Sequence, residues 1–98
     1  MHIQWAVTFE WDQSNLRKIR AHRIKRDEAE QAIENDPILV YEQNVDDEVR
    51  FLYYGETNSE RLLAIVVTER GNKLRVVTGY DLDAGQRRDY FQRRAEGH

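Results

Sequence analysis

The run LLAIVVTERGNKLRVVTGYDLDAGQRRDYFQRR, residues 62–94, decides the fold. Its first six residues, Leu62 to Val67, are apolar without a polar break, the pattern of a central strand covered on both faces. Gly71-Asn72 separates this strand, expected over Leu62–Thr68, from another over Leu74–Thr78, and reads as a hairpin turn. The second strand runs straight into a helix expected over Asp83–Arg94, started by Asp81 or Asp83 and carrying four arginines and two aromatics.

Outward from this run, Gly55–Glu60 is a longer polar hairpin loop and Val49–Tyr54 an aromatic-rich strand. Ile38–Glu42 is a short strand. Asn35-Asp36-Pro37 ends a helix, because proline cannot continue one and restricts the residue before it. That helix is expected to begin at Asp27, with Glu30 in capping-box spacing and Ala29, Ala32 and Ile33 inside. Upstream, Asp12 caps a helix reaching about Ala21, with Leu16 and Ile19 inside and Arg17, Lys18 and Arg20 outside. Ile3–Phe9, with Trp5 and Val7, reads as an opening strand. The order is β-α-α-β-β-β-β-α, an α+β domain with a mostly antiparallel, twisted sheet, one domain across residues 1–98.

Apolar residues make up 40% of the chain, which places it among folded proteins rather than disordered ones. There is no cysteine, so disulfides, thiolate nucleophiles and sulfur-ligated metals are excluded, in keeping with a reducing cytoplasm. No apolar run approaches the roughly 20 residues of a membrane helix, and MHIQWAVTFEW lacks a secretory pattern, so a cytoplasmic location is expected.

Net charge is −3, yet charge is segregated. Residues 1–26 hold six basic and two acidic side chains, residues 27–60 one and eleven, and residues 61–98 eight and five. Such a chain solvates opposite faces with opposite charge, or offers acidic surface to a basic partner.

The histidines, at positions 2, 22 and 98, have no ligand spacing, so no metal site is expected. Ser14 and Ser59 lack nucleophile-elbow glycines, and the five glycines form no phosphate loop, so no cofactor is expected either. What remains is cationic. Strict alternation puts Arg75, Val77 and Gly79 on one strand face and Leu74, Val76 and Thr78 on the other. Arg87, Tyr90, Phe91 and Arg94 fall at i, i+3, i+4 and i+7, one helical stripe. Two compatible readings follow: Tyr90 and Phe91 anchor the helix to the sheet, or the arginines together with Arg75 bind phosphate through guanidinium forks. His22, the only internal histidine, is a candidate acid or base.

Several motifs resemble one family when taken in order. FEWD at 9–12, Asn15, His22-Arg23-Ile24, DEAEQAI at 27–33 and NDP at 35–37 resemble the opening of the BrnT ribonuclease toxins. So do Arg50, Gly55-Glu56-Thr57, Arg61-Leu62-Leu63, Thr68, Arg70-Gly71, Arg75-Val76-Val77-Thr78, Arg87-Arg88 and Tyr90. Each motif is short; their shared order from about Phe9 to Arg94 is the specific signal.

The resemblance implies a RelE-like fold and a type II toxin–antitoxin toxin that cleaves messenger RNA without metal. It also implies neutralisation by a BrnA-like antitoxin with a ribbon-helix-helix domain, in a homodimer or a toxin–antitoxin heterotetramer. Metal-free cleavage needs an aligned 2′-hydroxyl, a group to take its proton and cations for the developing charge. The expected catalytic set is His22, Arg50, Arg75, Arg87 and Tyr90; Arg70, Tyr80, Arg88 and Arg94 are expected to bind RNA. The chain departs from its relatives where His22-Arg23 replaces His-Gly, and where Thr78-Gly79-Tyr80 replaces a strand end of Thr/Ser-Ala-Arg. Tyrosine hydrogen-bonds but cannot neutralise phosphate. A second expectation therefore stands beside the first: a non-catalytic relative that acts as a protein-binding module.

Overall fold

In the computed structural model, which describes residues 7–97, the elements follow the expected order. They are β1 (Phe9–Glu10), α1 (Gln13–Arg20), α2 (Arg26–Glu34), β2 (Ile38–Val45), β3 (Glu48–Glu56), β4 (Leu62–Arg70), β5 (Lys73–Asp81) and α3 (Ala84–Ala95). The five strands form one sheet in the order β1-β5-β4-β3-β2, with β1 parallel to β5 and every other pair antiparallel. Of the strand expected over Ile3–Phe9, residues 3–6 lie outside the described residues; the described strand is Phe9–Glu10. Among the described residues no helix is long and apolar enough to cross a membrane.

The LLAIVV run is the central strand, and it is covered on both sides. Leu63, Ile65 and Val67 pack with Val76 against Ile19 of α1, Ile24, and Ala29, Ala32 and Ile33 of α2. Ala64 faces the other way, with Ile38, Leu52, Tyr54, Leu82 and Tyr90, and with Leu62 and Val66 at the margin. Two cores on one sheet therefore explain why β4 carries no polar alternation.

Gly55 is fixed by the first core. A Cβ there would lie 2.1 Å from the Ala32 carbonyl oxygen, so α2 sits on β3 at a distance only glycine allows. Asp12 caps α1 as expected, accepting from the Asn15 amide at 2.9 Å. The start of α2 differs from expectation. Lys25 occupies the N-cap, and Glu28 rather than Glu30 reaches back to its amide at 2.9 Å. Lysine cannot accept the reciprocal bond, so only half of the capping box forms. Asp83 caps α3 with Gln86 in the full reciprocal arrangement.

The outer strands are longer than local pattern suggests. β2 extends to Val45 and joins β3 through Asp46-Asp47, both at positive φ (51° and 63°), a two-residue turn that aspartate tolerates. Pairing across the sheet carries these polar residues into strand. α3 is held by Leu82 and Tyr90, both buried, while Phe91 is 58% exposed, so Tyr90 alone is the aromatic anchor.

Candidate functional site

A bulge in β5 sets the site. The β4–β5 register shifts between Val66, which faces Thr78, and Val67, which faces Val76, leaving Val77 as the extra residue. Strict alternation would have joined Arg75 to Gly79. Instead Arg75 opposes Thr68, while Thr78 opposes Val66 and Tyr80 opposes Ala64, all on the α3 side of the sheet. Gly79 opposes Ile65 and turns to the α1/α2 side.

The same register aligns residues across four neighbouring strands. Arg50 pairs with Thr68, Thr68 with Arg75, and Arg75 with Glu10, so two arginines flank one threonine in a single row. At about 4.8 Å per strand, the two arginine backbones stand roughly 10 Å apart. Thr68 is buried and its hydroxyl donates to the Val49 carbonyl at 2.8 Å, which makes it the floor of the row.

Each arginine has a carboxylate beside it. Arg50 Nε donates to Glu48 at 2.9 Å, Arg75 Nη1 to Asp12 at 2.6 Å, and Arg70 lies 3.7 Å from Glu10. The Asn15 amide, then Arg75, holds the Asp12 carboxyl below the usual range, so this one ionised group caps α1 and orients Arg75. A guanidinium has five N–H donors, and both Arg50 and Arg75 spend one bond on these partners, leaving the fork able to meet an anion.

A second cluster forms at the other end of β5, roughly 15 Å from Arg75 along the strand. The rings of His22 and Tyr80 lie 6.2 Å apart. His22 is exposed in the turn after α1, where Arg23 takes φ 58°, a left-handed position that glycine adopts more readily. Arg61 pins the turn. It donates to the carbonyls of Arg23 (2.9 Å) and His22 (3.3 Å), forks onto Asp81 (2.8 and 3.0 Å) and reaches Glu28 at 3.3 Å. Arg61, by that hydrogen bonding, keeps the Asp81 carboxyl below its ordinary range.

The expected residues are thus divided. Arg50 and Arg75 share the row, with Arg70 paired to Glu10 near its edge. His22 and Tyr80 meet at the far end of β5. Tyr90 is buried, its hydroxyl donating to Glu56 at 3.3 Å and accepting from Arg94 at 3.1 Å. Arg94 also binds the Asp36 carboxylate at 3.3 Å and the Asp36 carbonyl, so Tyr90 ties α3 to β3 and Arg94 ties it to the segment after α2. Arg87 and Arg88 are exposed and make no ion pair among the described residues.

Sequence reasoning missed Asp12 as the partner of Arg75 and Arg61 as the pin of the His22 turn. No local signal joins Asp12 to Arg75, 63 residues away. For Arg61 a signal existed: an arginine at the mouth of the apolar β4 run, next to an acidic segment. Among the described residues no group of three potential metal ligands is brought together.

None of the curated proteins compared matches the chain. Residues 11–84, which include the arginine row, the His22 turn and the bulged strand, match the family described as the ribonuclease toxin BrnT of type II toxin–antitoxin systems, and the chain belongs to that family.

Proposed function

We propose that the protein is a metal-independent endoribonuclease of RelE-like fold that cleaves messenger RNA and so arrests translation. The observation that carries this is the row in which Arg50 and Arg75 flank Thr68 on the face shared with Thr78 and Tyr80. RNA lies along β5. The two guanidiniums hold one phosphate, and the His22–Tyr80 end meets a neighbouring one, where His22 takes the 2′-hydroxyl proton as the 2′-oxygen bonds to phosphorus and returns it to the 5′-oxygen that leaves. Arg61 positions that histidine through its backbone. Tyr90 holds α3 in place and takes no part in proton transfer, since its hydroxyl is engaged on both sides.

The partner is a BrnA-like, ribbon-helix-helix antitoxin, in a heterotetramer built on two toxin chains. Residues 27–60, with eleven acidic and one basic side chain, supply surface for its basic segments. Tyr80 favours a second reading, a binding module that has lost catalysis, because no cation stands at that strand position to neutralise charge beside His22.

Inducible expression with RNA integrity measured separates the two readings. Degraded transcripts that persist in His22→Ala would remove His22 from the chemistry. Intact transcripts from the wild type, with cleavage appearing in Tyr80→Arg, support the decayed form. Intact transcripts from both defeat the enzyme reading.

A further inference from the structure

The exposed face of α3 lies outside the matched family region, which ends at residue 84. It carries Phe91, 58% exposed, with Arg87 one turn before it and Arg88 three residues before it. The charges on this helix are unevenly matched. Arg93 is paired with Asp89 at 3.0 Å and Arg94 with Asp36 at 3.3 Å, while Arg87 and Arg88 make no ion pair among the described residues. The uncompensated cations are therefore the two beside the exposed ring.

The ring is also held in place. Phe91 meets Tyr90 edge to face, with centroids 5.3 Å apart and planes at 75°. Tyr90 is itself fixed by Glu56 and Arg94. An oriented aromatic face in water, next to two free guanidiniums, has the composition of a base-stacking platform. An apolar protein partner would not call for the cations, and a basic one would be repelled by them.

We propose that Phe91, Arg87 and Arg88 form a subsite for single-stranded RNA, in which one base stacks on Phe91 and the adjoining phosphates bind the two arginines. It rests on RNA being the ligand of this protein. α3 packs on the same side of the sheet as Arg50, Arg75 and Tyr80, so one strand of RNA running off the β5 track meets this helix. The platform sets how long a substrate is gripped, and it lies beyond the matched segment, which ends at residue 84.

The test uses the full chain and a fluorescent 2′-O-methyl oligoribonucleotide, which lacks the attacking hydroxyl and stays intact. Anisotropy is expected to show binding weakened about tenfold or more in Phe91→Ala and restored to within about twofold in Phe91→Trp. Arg87→Gln with Arg88→Gln is expected to lower the slope of log affinity against log salt by about 1.4, at roughly 0.7 per phosphate contact. Circular dichroism checks that the variants fold, which exposure of all three side chains favours. No binding by the wild type, or Phe91→Ala and Phe91→Trp behaving alike, overturns the proposal and assigns the face to a protein partner. Phe91-dependent binding without cleavage of unmodified RNA would leave the subsite standing and defeat the ribonuclease reading. Cleavage with Phe91-independent binding would do the reverse.

Discussion

Replacing Arg61 with alanine removes bonds to β5, to α2 and to the turn after α1, and its cost can be worked from the structure. The side chain is 26% exposed and joins β4 to Asp81 on β5, Glu28 on α2 and the carbonyls of His22 and Arg23. Asp81 is 57% exposed, so solvent screening limits that pair to about 0.5–1 kcal/mol. The two carbonyl bonds add about 0.5–1.5 kcal/mol each. A total of about 1.5–4 kcal/mol corresponds to a melting temperature lowered by roughly 6–30 °C in a domain of this size. Arg61→Lys keeps the charge but not the fork and recovers about half of the loss.

The difference depends on pH. The folded-state pKa of Asp81 is depressed by Arg61, so its contribution is present above the unfolded value and is lost as pH falls through the folded one. Melts followed by circular dichroism should therefore show the wild type and Arg61→Ala well separated at pH 7 and closer together below about pH 4. If the two proteins melt within about 3 °C of each other at pH 7, the turn holds itself and Arg61 does not position His22.

Gly55→Ala forces a methyl group against the Ala32 backbone, where the neighbour cannot move like a side chain, and is expected to cost about 3 kcal/mol in urea denaturation. An unchanged midpoint would mean that α2 is not seated on β3. Tyr90→Phe loses the bonds to Glu56 and Arg94, costs about 1 kcal/mol and leaves RNA cleavage unchanged; a large loss of cleavage in a folded variant would return Tyr90 to the chemistry. Asp12→Asn keeps a good N-cap but frees Arg75, so oligonucleotide affinity should rise and its salt slope steepen by about 0.7; weaker binding would show that Asp12 is needed to orient Arg75.

The architecture was legible in sequence because its decisive elements are locally determined. An unbroken Leu62–Val67 run, six residues between turn signals, fits a strand covered twice, and Asp12 and Pro37 mark helix boundaries by their own chemistry. What was not legible depends on pairing. The bulge at Val77 reverses the facing of every later residue in β5, so alternation predicted Arg75 beside Gly79 where the fold pairs it with the side of Thr78 and Tyr80. The Asp46-Asp47 turn lacks the glycine that usually announces one. Phe91 and Tyr90 are neighbours on one helical stripe, and only tertiary packing decides that Tyr90 goes in and Phe91 stays out. The arginines of the site could be picked out by type. Their division between a sheet row, a helix clamp and a free helix face is set by carboxylates distant in sequence.

Cleavage of a defined RNA by the purified protein, in the presence of a metal chelator, tests the central claim most directly. Wild type should cut, and Arg50→Gln and Arg75→Gln should each lower kcat/KM about tenfold or more through the lost phosphate contact while melting like the wild type. Cleavage in either variant at the wild-type rate, or cleavage by the wild type only when metal is restored, would contradict it.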